Sequence, residues 1–301
     1  MGRLTVKLGD WELDNPVIPA SGTFGFGYEF ARHYDLDQLG SISLKGTTKE
    51  ARFGNPTPRI AECEAGLLNA IGLQNPGVHK VIEEELPKLR QVFHKKAIAN
   101  ISGFSVEDYA YTAALFDKEE DIGILEISCP NVKHGGMAFG TDPEAAATVC
   151  RAVKEVTHKP VYMKLSPNVT DIVAIAKAVA QAGADGLVLI NTLFGMRIEP
   201  RTGKPIVSTK MAGFSGPAIK PVALRMVYQV CQAVDLPVIG VGGIRDADDV
   251  LEFLSAGASA IQVGAQNLVD PWACPKIIED LPRKMDEYGI NDLQQIIGRA
   301  L

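Results

Sequence analysis

The chain of 301 residues has few cysteines, and their spacing excludes several common metal and disulfide motifs. No two of the five form a C-x-x-C pair, so a zinc ribbon or an iron–sulfur cluster within this chain is not supported, and no metal is expected. An odd number of cysteines in a cytosolic chain is typical of free thiols. We expect four to pack as small apolar residues and one to be reactive, among Cys63, Cys129, Cys150, Cys231 and Cys274.

Long hydrophobic runs and an excess of positive charge are also absent. The longest apolar helical segment, 172–180, contains Lys177 and is too short to span a bilayer. The N-terminus lacks an apolar secretory core, and Val6 stands where a myristoylation signal requires Ser or Thr. The net charge of −6 disfavours a general nucleic-acid or anionic-membrane binder. These features predict a soluble cytoplasmic protein.

The composition, 46% hydrophobic and 22% charged, is that of an ordinary globular chain with a large core. Amphipathic helices are predicted between many short β-branched runs, most clearly at 171–183 and 246–257. The segments 182–190 and 256–264 both run from a helix end through Ala-Gly-Ala into a strand, which indicates a repeating unit. The predicted strands are 16–21, 41–45, 97–102, 123–128, 161–166, 186–191, 237–242 and 260–265.

This alternation predicts an α/β fold, a (β/α)8 barrel formed by a single domain over 1–301. A doubly wound open sheet is the alternative, but the strands number eight and no G-x-G-x-x-G follows an early strand. Chemistry in such barrels collects at the carboxyl ends of the strands. Polar residues or glycines stand at or just beyond those ends: Ser21, Lys45, Asn100, Cys129, Lys164, Asn191, Gly242 with Gly243, and Gly264.

Glycine-rich segments follow the last two predicted strands. They are "GVGGI" at 240–244 and "VGA" at 263–265, and "FSGPAI" at 214–219 is a third. Glycine lets backbone N–H groups approach an anion closely, and the loops at this corner of a barrel often bind phosphate. A tight turn without a ligand is the alternative for either loop alone. Together the segments favour a phosphate-bearing cofactor with its ring at the barrel mouth.

Two lysines and several asparagines have functional and structural interpretations. Lys164 lies in an apolar strand, and is either a salt-bridged barrel lysine or a cation held against an anionic ring such as reduced flavin. Lys45, at a strand end, is either a similar cation or simply solvated. Amides suit a heterocycle that alternates C=O and N–H, although each singly is typical of a cap or turn. The asparagines are Asn69, Asn100, Asn131 and Asn191.

Cys129 is the candidate general base. It is followed by Pro130, Asn131 and a "KHGG" turn, which are features of an exposed loop rather than of a core. A buried apolar thiol is the alternative. Because an ordinary thiol has a pKa of about 8.5, activity that depends on the thiolate is predicted to rise with pH through that range.

The chain resembles the dihydroorotate dehydrogenase family, and most closely its NAD-linked class 1B catalytic subunits. The resemblance covers nearly the whole chain, through "SGTFGFG", "KGTT", "RFGNPTPR", "LLNAIGLQNPG", "SCPNVKHGGMAFGTDP", "VYMKLSPNVTDI", "INTLFGMR", "FSGPAIKPVALRMVYQV" and "VGGI". It implies an FMN-containing (β/α)8 barrel with inserted loops and a small hairpin at its C-terminal face. Such enzymes oxidise (S)-dihydroorotate to orotate in de novo pyrimidine (UMP) biosynthesis. In them, a cysteine at the position of Cys129 takes a proton from C5 while C6 delivers hydride to flavin N5.

The resemblance also implies site residues and partners. The residues implied to line FMN are Ser21, Lys45, Gly46, Asn100, Lys164, Ile190, Gly216, Gly242, Gly243, Gly264 and Ala265. Those implied to hold the substrate are Asn69, Ala70, Ile71, Gly72, Leu73, Asn131, Asn191, Thr192 and again Lys45. A partner subunit carrying FAD and a 2Fe–2S cluster passes electrons to NAD, in a heterotetramer built on a homodimer of catalytic subunits.

Three positions depart from the family pattern. Glu126 stands where an asparagine is usual, unless two residues are missing from the strand. A carboxylate facing an anionic ring is unfavourable unless it is protonated or paired with a lysine such as Lys45. Ala212 replaces a usual glycine, and Ala265 replaces a threonine whose bond to phosphate a backbone N–H can supply. Two alternatives follow: an FMN enzyme acting on a related dihydropyrimidine, and a catalytically weak flavin-binding assembly subunit.

Overall fold

Strands and helices alternate along most of the chain in the computed structural model, which describes residues 2–128 and 139–301. The strands are β1 Val6–Leu8, β2 Trp11–Leu13, β3 Val17–Pro19, β4 Ile60–Cys63, β5 Gly66–Asn69, β6 Ala97–Ile101, β7 Ile122–Ser128, β8 Val161–Leu165, β9 Gly186–Leu189, β10 Leu193–Gly195, β11 Ile198–Glu199, β12 Lys204–Pro205, β13 Ala212–Ser215, β14 Val238–Val241 and β15 Ala260–Val263. The helices are α1 Val78–Lys80, α2 Leu86–Leu89, α3 Val106–Phe116, α4 Pro143–Lys154, α5 Ile172–Gln181, α6 Lys220–Ala233, α7 Ala247–Ser255, α8 Gln266–Val269 and α9 Ala273–Glu287, with a π-helical turn, Val81–Glu85, between α1 and α2. Within the described ranges, no helix combines the length and apolarity needed to cross a membrane.

The centre of the fold is a closed ring of parallel strands. Seven of them form one sheet in the order β3-β15-β14-β9-β8-β7-β6. The predicted strand at 41–45 makes only isolated bridges, but it closes the ring: Leu44 N donates to Ile98 O at 2.9 Å on one side, and Ser43 N donates to Pro19 O at 3.2 Å on the other. The (β/α)8 barrel expected from the sequence is therefore confirmed, and the open-sheet alternative is wrong.

The two most clearly predicted helices begin and end at the residues that the sequence indicates. The Asp171 carboxylate caps α5 by accepting from Val173 N at 2.9 Å. The Asp246 carboxylate caps α7 in the same way, by accepting from Asp249 N at 3.0 Å. Both helices stop just before a glycine with positive φ, a conformation that favours glycine after a helix. They pack outside the ring and bury their apolar faces against it.

A tyrosine fills the lower part of the barrel interior. Side chains two residues apart on a strand share a face, so Tyr162 points inward like Lys164, one layer closer to the amino ends of the strands. Its ring is 1% exposed and lies where a side chain at Gly186 would be, since a Cβ at that glycine would overlap the ring. Tyr162 thus fills space below the polar layer, and the cavity described below opens at the carboxyl ends of the strands.

A small antiparallel sheet covers part of that open end. Its strand order is β10-β13-β5-β4, in which β4 and β5 form a hairpin and β13 joins them from far along the chain. These segments are insertions between barrel strands, and they supply the inserted loops and small hairpin expected at the C-terminal face. They wall the cavity described below.

At the opposite end of the barrel, Asp117 ties the end of α3 to the loop before β8. Its carboxylate accepts from Thr157 Oγ1 and from His158 N, each at 2.7 Å. Burial alone raises the pKa of this carboxyl, but the hydrogen bonds from Thr157, His158 and Lys159 outweigh burial and hold the pKa well below its usual range. Asp117 therefore stabilises the fold only while it is ionised.

Asp117→Asn is expected to lower the free energy of unfolding at pH 7 by about 1–3 kcal/mol, the usual effect of breaking hydrogen bonds to a mostly buried charged group. Because the folded-state pKa is depressed, this contribution is complete above the unfolded pKa of about 3.9 and is lost as the pH falls below it. Urea unfolding at pH 7 and below pH 4 measures the difference. Asp10→Asn, in the exposed turn between β1 and β2, is the control. An effect of Asp117→Asn that stays constant with pH would contradict the assignment.

Candidate active site

A cavity of about 930 Å³ opens at the carboxyl ends of the barrel strands. Every residue of the predicted cofactor and substrate sites that the structure describes lines it: Ser21, Lys45, Gly46, Asn69, Ala70, Ile71, Gly72, Leu73, Asn100, Lys164, Ile190, Asn191, Thr192, Gly216, Gly242, Gly243, Gly264 and Ala265. Cys129 and Asn131 lie outside the described residues. Ser128, the last described residue before them, is part of the cavity lining.

One corner of the cavity is built from backbone. Here Gly216, the Gly242–Gly243 pair after β14, and the Gly264–Ala265 pair after β15 come together. Gly243 has a φ of +76°, and a Cβ on it would lie 2.7 Å from Lys220 N and 2.9 Å from Gly216 O. The close approach of these chain segments therefore requires glycine at 243. Glycine backbone packed in this way lets N–H groups approach an anion closely, which suits a phosphate group.

The floor of the cavity contains Lys164 and Asn100, and both reach down to a carboxylate beneath them. Lys164 Nζ donates to Glu126 Oε1 at 2.8 Å, and Asn100 Nδ2 donates to the same oxygen at 2.6 Å. Lys164 is 7% exposed, and that small fraction faces the cavity. Lys164 is thus a salt-bridged barrel lysine and also a donor at the ligand site, which combines the two interpretations of the sequence.

Glu126 occupies the inward-facing position of its strand without facing the ligand space. The lysine that pairs with it is Lys164, rather than the Lys45 considered from the sequence. It is fully buried and is not part of the cavity lining. The unfavourable contact between a carboxylate and an anionic ligand is therefore avoided by placing the carboxylate below the floor.

Lys45 supplies positive charge that no described residue neutralises through an ion pair. Among the described residues its ammonium makes no ion pair or hydrogen bond, although it lines the cavity. Burial, and to a smaller degree the positive charge of Arg59, lower the pKa of Lys45. An anionic ligand would relieve both effects, so this side of the cavity suits a carboxylate.

Amide groups surround the same space. Asn69 ends β5, and Asn191 follows β9 with its Oδ1 accepting from Thr192 N at 2.8 Å. The segment 69–73 is held in place by Asn55, whose Nδ2 donates to Ala70 O at 2.9 Å. These groups offer both donors and acceptors to a planar, amide-rich ligand.

Two serines of the cavity were not predicted from the sequence. Ser102 and Ser128 each stand two residues after an inward-facing residue, Asn100 and Glu126 respectively, so strand alternation was the signal that pointed to them. Ser102 Oγ is buried and has no hydrogen-bond partner in the part of the chain that the structure describes. A ligand group in the cavity would satisfy it.

The cysteines at 63, 150, 231 and 274 do not line this cavity. Burial raises the pKa of the Cys150 thiol to about 11 and that of Cys231 to about 12. Burial also raises the pKa of Cys63 and Cys274. Burial thus favours the thiol form in all four, and Cys150 and Cys274 are fully buried like small apolar residues. The reactive cysteine stays a prediction for Cys129.

The cavity fits a phosphate-bearing planar cofactor together with a small anionic ligand. Its volume lies within the range of cofactor sites, about 300–1,000 Å³. The backbone corner suits the phosphate, and apolar walls that include Ile190 and Val241 suit a ring. The buried Ser102 hydroxyl, the floor amide and the two lysines supply polar groups at separate points. FMN, which the sequence resemblance implies, has these parts.

An eight-stranded α/β barrel with its polar cavity at the carboxyl ends of the strands has the architecture of the barrel enzymes. Within that class, the chain belongs to the dihydroorotate dehydrogenase family, whose model matches residues 3–285. The family expected from the sequence motifs is thus confirmed.

Curated relatives match the chain along its whole length. A protein of Geobacillus kaustophilus (strain HTA426) is 59% identical over 302 aligned residues, which cover 100% of this chain and 96% of that protein. A protein of Bacillus caldolyticus has the same identity and coverage. One of Bacillus pumilus (strain SAFR-032) is 58% identical over 299 residues, covering 99% of this chain and 96% of the relative. All three are named dihydroorotate dehydrogenase B (NAD(+)), catalytic subunit.

Proposed function

We propose that this chain is the FMN-dependent catalytic subunit of an NAD-linked dihydroorotate dehydrogenase, which oxidises (S)-dihydroorotate to orotate in cytoplasmic pyrimidine biosynthesis. The observation that carries the proposal is that all described residues of the predicted cofactor and substrate sites line one cavity. Relatives that are 59% identical over the whole chain and bear that name support it.

The residues divide between the two ligands according to their chemistry. The glycine corner would hold the FMN phosphate, and Lys164 and Asn100 would donate to its ring. When bound, FMN supplies the acceptor for the hydride that leaves C6 of dihydroorotate. Lys45 would pair with the substrate carboxylate, because its own ammonium has no partner among the described residues. Asn69 and Asn191 would hold the pyrimidine amide groups.

The proton of C5 requires a base, and Cys129 is the proposed one. It follows Ser128, whose side chain lines the cavity, so the chain passes the substrate space immediately before Cys129. A thiolate there takes the proton while the hydride leaves on the opposite side of the substrate. Asn131 is proposed to bind the substrate from the same segment.

A partner subunit completes the proposed function. The relatives' name contains both NAD and "catalytic subunit", and this chain has no cysteine spacing of the kind that binds an iron–sulfur cluster. We therefore expect an FAD- and 2Fe–2S-containing subunit to carry electrons from FMN to NAD. The expected assembly is a homodimer of this chain within a heterotetramer.

Dihydroorotate is expected to bleach the visible flavin absorption of the purified, FMN-loaded chain in the absence of air. Cys129→Ser should slow this bleaching by about 10²–10⁴-fold at neutral pH, because the serine hydroxyl is a far weaker base than a thiolate. The parent rate should rise with pH toward the ordinary thiol pKa of about 8.5. Stopped-flow absorption measures both effects.

Cys150→Ala, at a buried thiol in α4 outside the cavity, is the matched control and should bleach at the parent rate. A chain that binds FMN but is bleached only by another dihydropyrimidine would overturn the substrate assignment. A chain that binds FMN and the partner subunit but is bleached by neither would have an assembly role. The burial of Glu126 below the cavity floor removes the observation that favoured a different substrate.

A further inference from the structure

A fully buried carboxylate lies at the centre of the barrel, held by four donors. Glu126 Oε1 accepts from Lys164 and Asn100, at 2.8 Å and 2.6 Å. Its Oε2 accepts from Gln262 Nε2 at 2.5 Å and from Ser43 Oγ at 3.1 Å. An ammonium and two amide NH₂ groups can only donate, so this arrangement fits an ionised, acceptor-only carboxylate.

Glu126 acts on the site only through its neighbours. It stands two residues before Ser128, which lines the cavity, and so it belongs to the layer immediately below. Lys164 and Asn100 contact both Glu126 and the cavity. Ser43 and Gln262 belong to the lower layer, like Glu126. The carboxylate therefore fixes the two polar side chains of the floor without touching a ligand.

The same contact balances the charge of the floor. The Lys164–Glu126 pair carries no net charge, and Lys164 also donates to Gln262 Oε1 at 3.2 Å. Of the three ammonium hydrogens, one remains to point into the cavity. Lys45 has no such counter-ion among the described residues. The two lysines thus differ. The charge of Lys164 is neutralised and its ammonium is oriented as a hydrogen-bond donor, whereas Lys45 keeps its charge and suits an anion.

We propose that Glu126 is a positioning residue that holds Lys164 and cancels its charge at the cavity floor, where the FMN ring would bind. This inference rests on the proposed binding of FMN in the cavity. The charge near a flavin ring tunes its redox potential, and an unpaired lysine would favour the reduced, more negative ring. The Glu126–Lys164 pair keeps the N–H donor and removes that preference, so the potential of the bound FMN stays lower.

Glu126→Gln removes the negative charge of the carboxylate and leaves the shape of the side chain almost unchanged. The variant should bind reduced FMN about tenfold more tightly relative to oxidised FMN than the parent does. That ratio corresponds to a midpoint potential about 30 mV higher for a two-electron couple. Anaerobic titration of the FMN-loaded chain against a reference dye measures it without any pyrimidine. Asp117→Asn is the matched control, since it removes a hydrogen-bonded carboxylate at the amino ends of the strands and should leave the potential unchanged.

Glu126→Gln combined with Lys164→Gln replaces the neutral pair by two neutral amides, and should return the potential most of the way to the parent value. It also provides the test if Glu126→Gln alone does not fold. A Glu126→Gln potential equal to that of the parent, or a double variant shifted as far as the single one, would overturn the proposal. Failure of dihydroorotate to bleach the flavin would refute the proposed substrate but leave this measurement intact.

Discussion

Lys164→Met is expected to lower the free energy of unfolding by about 3–5 kcal/mol, the usual consequence of leaving a buried charge without its partner. The Glu126 carboxylate is fully buried, and its remaining donors, Asn100, Gln262 and Ser43, are all neutral. Methionine has similar length and fills the space but offers no donor. Urea unfolding of the purified chain at pH 7, without added FMN, measures the loss.

The effects of substitutions at Glu126 and Lys164 on the free energy of unfolding should be strongly non-additive. Glu126→Gln combined with Lys164→Met should recover most of the stability that Lys164→Met loses, because the buried charge is then gone. Lys177→Met, on the exposed face of α5, is the control and should change stability by no more than about 0.5 kcal/mol. Two results would mean that the Glu126 carboxylate is not held as an ion. One is a loss of stability in Lys164→Met as small as that of the control, and the other is a double variant whose loss equals the sum of the two single losses.

The barrel was predictable because its signals are local. Seven of the eight predicted strands formed within a few residues of their predicted bounds, as in 123–128 against Ile122–Ser128, and the eighth, 41–45, makes only isolated bridges. Asp171 and Asp246 were recognisable as caps, since capping depends only on the next few residues. Once the barrel was assumed, parallel strands placed their carboxyl ends together. Distant residues such as Lys45 and Gly264 then fell into one site.

The partner of Glu126 was not predictable, because it depends on the stagger between strands. In register, Glu126 lies beside Tyr162, and Lys164 lies beside Ser128. The ion pair is therefore diagonal, between residues that are not register partners. Gln262 reaches the same carboxylate from 136 residues away in the chain. The order of residues along the chain alone does not predict such a contact.

The sheet over the cavity was expected only through the family resemblance. Its strands have three or four residues each, too few for an alternating pattern to be recognised. The pairing of β13 with β5 joins segments that are far apart in sequence, and it places Gly213 beside Asn69. Their backbone hydrogen bonds, rather than side-chain periodicity, define this part of the site.

Gly243→Ala is expected to lower the affinity for FMN at least tenfold and to destabilise the chain by about 2–4 kcal/mol. The left-handed backbone itself disfavours a side chain by about 1–2 kcal/mol. In addition, the new Cβ would lie 2.7 Å from Lys220 N and 2.9 Å from Gly216 O, both backbone atoms that cannot move alone. Separating these segments opens the corner proposed to hold the phosphate. Fluorescence titration of the flavin-free chain with FMN, and urea unfolding, measure the two effects.

Gly183→Ala is the control that separates the effect of backbone strain from the effect of opening the glycine corner of the cavity. Gly183 also has a positive φ, +93°, but a Cβ there would meet no atom within 4 Å. This variant should therefore lose only the conformational part, about 1–2 kcal/mol, and should bind FMN like the parent. If the two alanine variants bound FMN equally well, the phosphate would lie elsewhere in the cavity. If Gly243→Ala alone lost the cofactor, the loss would follow from the close contact at this corner, because both variants place an alanine at a positive φ.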